Sequence, residues 1–171
     1  MTLTTHTLVG TAVALLFRAN PPLAFVAAFA SHFVLDALPH WDYKIPALGK
    51  KIDETADARS LFGSRGVWRD LFFVGLDLSL GIFLGFLLSS GFPNTSRPTA
   101  VALGALGGIL PDALQVVYAL CPRGILASLH RFHMRIENEE LLRTAPVWGV
   151  FSQAVVIIVT FVLARLYINP F

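Results

Sequence analysis

Histidine and aspartate recur along this chain where a hydrophobic sequence has little reason to carry them. The stretch SHFVLDALPHWD, Ser31 to Asp42, puts His32, Asp36 and His40 at i, i+4 and i+8 on one helical line, with Asp42 just past Pro39. His6 stands near the start, Asp77 and Asp112 stand inside apolar runs, and His130 and His133 follow in LHRFH. Imidazole nitrogen with carboxylate oxygen is the donor set of a zinc, manganese or iron site. Such an ion lowers the pKa of a coordinated water to about 7 in zinc enzymes, which supplies a hydroxide nucleophile at neutral pH. The line from His32 to His40 spans ~12 Å, so either two ions are held or one member sits behind the others. Asp36 and Asp112 are the candidates for a base or an orienting group. Arg131 and Arg135 offer guanidinium forks for a substrate phosphate.

Each residue has a plainer reading beside that one. His6 can mark a helix start at an interface, and Asp112 after Pro111 can cap a new helix. His32 with Asp36 can be a hydrogen-bonded pair, and Asp77 can pair with Arg69. His130 and His133 among arginines suit anionic lipid heads. Glu137, Glu139 and Glu140 read as a solvated face, as do Asp53, Glu54 and Asp57.

The elements that must position these groups follow from composition. The 171 residues are 55% hydrophobic and 14% charged, with mean hydropathy +0.66. A soluble domain usually carries about 25% charged residues, so a membrane protein is indicated. The net charge of +2 gives no reason to expect a nucleic-acid partner. One cysteine, Cys121, excludes an internal disulfide and a zinc–thiolate cluster. The start, MTLTTHTLVG, lacks the basic region of a cleaved signal peptide, so the first helix is expected to be retained. Five apolar segments are predicted, near Leu3–Phe17, Pro22–Leu38, Val67–Ser89, Pro98–Leu120 and Val147–Ile168. The fourth is expected to be broken by Gly104, Gly107, Gly108 and Pro111. The fold class is therefore all-α: a single domain over residues 1–171, an integral membrane bundle of about five transmembrane helices. A further helix near 125–142 should lie at the interface.

Five spans place ten of the Lys and Arg residues on the side of the N-terminus, and Arg18, Arg97 and Arg165 on the other. The positive-inside rule makes the first side cytoplasmic. All five histidines fall on that side. Small residues share a helical stripe with each intramembrane ionisable group: His6 with Gly10 and Ala14, His32 with Ala28 and Ala24, Asp77 with Gly81 and Gly85, Asp112 with Gly108 and Gly104. Small residues mark close helix packing, so these groups should point into the bundle, where an ionisable residue suggests function.

TTHTLVG, SHFVLDALPHWD, GGILPDALQ and LHRFH together resemble the LexA-regulated, inner-membrane family of metal-dependent hydrolases, over Thr5 to His133. The resemblance implies an integral-membrane metal hydrolase, with His6, His32, Asp36, His40, Asp42, Asp112 and His130 at the motif positions for metal. The chain departs from the family pattern at HRFHMRIEN, where His130 and His133 are three apart and no Thr-His-Ser follows.

The expectation is a hydrolase using zinc or manganese on a lipid or lipid-linked phosphoester at the cytoplasmic face of the inner membrane. Membrane lipid and a membrane-associated substrate are its expected partners, and the oligomeric state stays open. Two alternatives use the same residues: a metal-ion or proton transporter, and a non-catalytic scaffold whose metal shell is saturated.

Overall fold

The computed structural model describes residues 1–53, 62–91, 97–137 and 146–168. Among them only helices occur: α1 Leu3–Leu16, α2 Pro21–Asp36, α3 Pro46–Asp53, α4 Arg65–Leu88 with a 3₁₀ turn Ser89–Gly91, α5 Arg97–Leu120, α6 Gly124–Ile136 and α7 Pro146–Ile168. The chain is a helical membrane bundle. Three helices are long and apolar enough to cross a bilayer, Arg65–Gly91, Arg97–Leu120 and Pro146–Tyr167, and two apolar helices, Leu3–Leu16 and Pro21–Asp36, are shorter. The interfacial helix forms over Gly124–Ile136; residues 138–142 of the predicted segment lie outside the described residues.

The shortest apolar helix is the centre of the fold. α1 packs against α5, α4, α2 and α7. The small-residue stripes account for this. Cβ atoms on Gly10, Gly104 or Gly108 would run into backbone of the facing helix: Gly10 meets the Gly104 carbonyl, Gly104 meets Thr11, and Gly108 meets the His6 carbonyl. A Cβ on Gly107 would lie 2.8 Å from that of Ala28 on α2, and one on Gly81 would lie 2.8 Å from Thr7. Backbones thus approach where bulkier residues would hold them apart, and in lipid this close packing replaces the hydrophobic effect as the source of helix association.

α5 runs unbroken from Arg97 to Leu120 through Pro111, where the sequence suggested a break. A proline inside a membrane helix is tolerated when neighbouring helices take up the freed backbone groups. Near this proline the carbonyl of Gly108 receives the His32 Nδ1–H at 2.7 Å, and that of Pro111 faces the Gln115 side-chain amide at 3.5 Å.

Two aspartates of α4 cap other helices. Asp77 accepts from the backbone N–H of Leu3 at 2.7 Å and of Thr4 at 3.2 Å, and from the Thr4 hydroxyl. Thr2, the N-cap of α1, makes no side-chain cap of its own. Asp70 does the same for α3, accepting from Ala47 N at 2.8 Å and Leu48 N at 3.1 Å, while Arg69 lies 3.0 Å away. A carboxylate at a helix N-terminus satisfies orphan donors and meets the positive end of the dipole. α7 is tied to this end of the bundle by Gln153, whose oxygen accepts from Thr2 N at 3.0 Å and whose nitrogen donates to Trp41 O at 2.6 Å.

Candidate metal centre

Four elements converge at the capped end of α1. His6 lies in the first two turns of α1; His32 and Asp36 occupy the last two turns of α2; Asp112 follows Pro111 on α5; His133 lies near the end of α6. One ligand atom from each of His32, Asp36, Asp112 and His133 falls within a cluster no more than 4.8 Å across. The edges are short. His32 Nε2 is 2.9 Å from Asp36 Oδ2 and 3.5 Å from Asp112 Oδ1. His133 Nε2 is 3.1 Å from Asp36 Oδ2 and 3.6 Å from Asp112 Oδ1. Ligands bound at 2.0–2.1 Å around a tetrahedral ion are about 3.3 Å apart, which is the middle of this range.

The tautomer of His32 makes the case stronger. Its Nδ1 faces the Gly108 carbonyl, which can only accept, so Nδ1 carries the proton and Nε2 of the neutral ring carries a lone pair. That lone pair faces a carboxylate oxygen at 2.9 Å, although Nε2 is fully buried and has no partner in hydrogen-bonding geometry. Two acceptors at that distance repel unless a positive charge lies between them. A divalent cation fits this donor set, with the carbonyl behind the ring fixing its orientation as metal-bound histidines commonly require.

Asp36 presents its two oxygens to different groups. Oδ2 faces His32 and His133. Oδ1 faces His6 Nε2 at 3.0 Å and the Met1 amino nitrogen at 3.2 Å, and that nitrogen is also 3.0 Å from Asp42 Oδ2. His6 is buried, stacks on His32 with centroids 4.0 Å apart, and leaves both ring nitrogens without hydrogen bonds. His40 is also fully buried: its Nδ1–H donates to Leu38 O at 2.8 Å and its Nε2 has no partner. His40, Asp42 and Glu137 form a second group of ligand atoms within 4.8 Å of one another.

The two histidines of α6 part company. His133 turns into the cluster. His130 stacks on Tyr118, with centroids 4.1 Å apart, and its Nδ1 meets Gln115 Oε1. The Gln115 amide thus lies between both rings, with its other end 2.8 Å from His133 Nδ1. A half-turn of that amide exchanges donor for acceptor. With oxygen toward His133, Nδ1–H donates and Nε2 is left as a ligand. Arg131 and Arg135 are exposed on α6, and the Arg131 guanidinium donates to Ser128 at 3.3 Å. Asp77 stands apart from the cluster, in its capping role, beside a groove it lines with Tyr43, Lys44 and Phe73. Burial, then the Asp77 carboxylate, push the Tyr43 phenol above its ordinary range, so it remains a donor to Asp77.

Three participants escaped the sequence reading: Gln115, Glu137 as a candidate ligand, and the capping acid Asp70. Helical spacing carried a signal for two of them, since Gln115 is three residues past Asp112 and Glu137 is four past His133. Comparison of the chain with family models, with curated proteins and with solved structures finds no match.

Proposed function

We propose that this protein is an integral-membrane, metal-dependent hydrolase acting on a phosphoester of a lipid or lipid-linked substrate. The observation that supports it is His32 Nε2, buried and without a hydrogen bond, held 2.9 Å from Asp36 Oδ2 in a group of two imidazoles and two carboxylates whose ligand atoms lie within 4.8 Å of one another. His32, Asp36, Asp112 and His133 would hold the ion, zinc or manganese by donor type. A bound divalent cation would supply water activation and neutralisation of phosphoryl charge. Asp112 is the accessible member: its side chain is 36% exposed, against 2% for Asp36 and 4% for His133. Substrate reaches the centre from that side, and Asp112 is the residue placed to orient a nucleophile or accept its proton. Arg131 and Arg135 on the exposed face of α6 would draw an anionic headgroup toward it. The resemblance to the LexA-regulated hydrolase family points the same way. We place the N-terminus and the site at the cytoplasmic face of the inner membrane, on the basic-residue bias.

One observation favours a second reading. Four chain ligands lie close enough to share one ion, the number a closed structural site uses, and an ion so held would clamp α2, α5 and α6. Transport has less support, because below His6 the bundle closes with Leu8, Ala14, Leu15, Ala24, Leu88 and Ala100. The test is metal analysis of the detergent-purified protein with hydrolysis of a phosphoester panel in mixed micelles, with added zinc or manganese. Hydrolysis by the wild type that is lost in His32→Ala and Asp112→Ala supports the enzyme. Bound metal with no hydrolysis across the panel supports the clamp.

A further inference from the structure

Three further side chains of metal-ligating type lie together at the edge of the four-ligand cluster. His40, Asp42 and Glu137 each bring one ligand atom to within 4.8 Å of the others. An acidic pair alone would say little, but His40 is different in kind. Its side chain is completely buried, its Nδ1 proton is committed to the Leu38 carbonyl at 2.8 Å, and its Nε2 has no partner. In the neutral ring that Nε2 carries a lone pair, so a buried acceptor is presented to two carboxylates. Burying an unpaired polar atom beside like-signed groups is costly, and a cation among the three relieves it. This is the same construction as His32, whose Nδ1 proton is held by the Gly108 carbonyl.

The positions of the three residues tie them to the first centre. His40 is four residues past Asp36, and Glu137 is four past His133. Glu137 follows the last turn of α6, where its N–H caps the His133 carbonyl at 3.0 Å. The end of α2 therefore supplies two ligands to the cluster and the end of α6 one, and each segment carries a further candidate ligand four residues on. Asp36 Oδ1 and Asp42 Oδ2 lie 3.2 and 3.0 Å from one and the same nitrogen, that of Met1, so the two groups adjoin.

We propose that His40, Asp42 and Glu137 bind a second divalent cation beside the first, making a two-ion centre. Three chain ligands leave a coordination position open, which the four-ligand site does not. The second ion is thus the one able to take a substrate phosphate oxygen, beside a first ion whose accessible ligand, Asp112, would orient the nucleophile. This deepens the hydrolase reading and rests on it for the substrate, but the ion count stands independently of activity.

The experiment titrates chelator-stripped, full-length protein in detergent with Mn²⁺, reading bound equivalents by equilibrium dialysis and ion–ion coupling by electron paramagnetic resonance. Two equivalents and a coupled signal are expected for the wild type. Glu137→Gln and His40→Ala should each bind one equivalent with the uncoupled spectrum of a lone ion, the second binding at least tenfold more weakly. Glu137→Gln keeps the shape and size of a partly exposed side chain, and its elution volume checks that it folds. One equivalent in the wild type, or two coupled ions in both variants, overturns the proposal. Two coupled ions in the wild type without hydrolysis of any phosphoester leave the second site standing and sink the hydrolase.

Discussion

At the scale of single residues, one backbone carbonyl decides what an imidazole can do. Gly108 O accepts the hydrogen bond of His32 Nδ1–H and so, in the neutral ring, leaves Nε2 able to ligate. Gln115 can do the same for His133 from the side of a neutral amide. Replacing Gln115 with Leu removes that orientation without touching a ligand, and should weaken metal binding 10–100-fold, as loss of a supporting hydrogen bond commonly does; competition against a fluorescent chelator measures it. Asp36→Asn should abolish binding at the four-ligand cluster, since both oxygens of Asp36 face imidazoles. The pair His32 and Asp36 was legible in the sequence because both lie on one helix at fixed spacing. The choice between His130 and His133 was not. It depends on how α6 is rotated against α2 and α5, and an amphipathic segment with arginines on several sides does not fix that rotation. Gln115 and Glu137 were passed over for another reason, although their spacing carried a signal: an amide carries no charge, and a glutamate among other glutamates reads as surface.

The helices tell a different story about legibility. The number, order and approximate ends of the five apolar helices followed from apolar runs and from Pro and Gly at the boundaries, whereas α3 formed in a stretch that read as a polar connection. The stripes of small residues also foretold which faces meet: Gly104 and Gly108 of α5 press on α1, and Gly81 and Gly85 of α4 lie against Thr7 and Thr11. What the runs could not say is that α1, the shortest apolar helix, sits in the middle. That follows from the close approaches, which are three-dimensional. Gly108→Ala should destabilise the bundle by about 1–3 kcal/mol or more, as overpacking does, because the added Cβ meets the His6 carbonyl. It should also weaken metal binding, since His32 leans on the same residue. Thermal unfolding in detergent, with and without metal, separates the two effects. Asp77→Ala removes the cap of α1 from a neighbouring helix. Charge-assisted hydrogen bonds of this kind contribute about 1.5–3 kcal/mol, so melting should fall while the number of bound ions stays unchanged.

For the whole molecule a metal bound at the four-ligand cluster would be a fastener as well as a reagent. Its ligands come from α2, α5 and α6, which are far apart in sequence, so chelation should lower the unfolding temperature. An ion present at 100 times its dissociation constant stabilises by about 2.7 kcal/mol, and a melt with and without a chelator reads the difference. Orientation has a built-in reporter. Cys121 is exposed and directly follows α5 at the end nearer Asp112. A membrane-impermeant maleimide should label it in inverted vesicles and leave it unlabelled in intact cells, if the site faces the cytoplasm.

The helices that carry His6, His32 and Asp36 have 14 and 16 residues, or about 21 and 24 Å of rise, in a hydrocarbon layer of about 30 Å. Chemistry at their ends would therefore take place sunk within a leaflet and not above it. A molecule arriving there diffuses in two dimensions, so the rate should track its mole fraction in the surface. Diluting a substrate lipid with inert detergent at constant bulk concentration should slow turnover, while adding more micelles of the same composition should not.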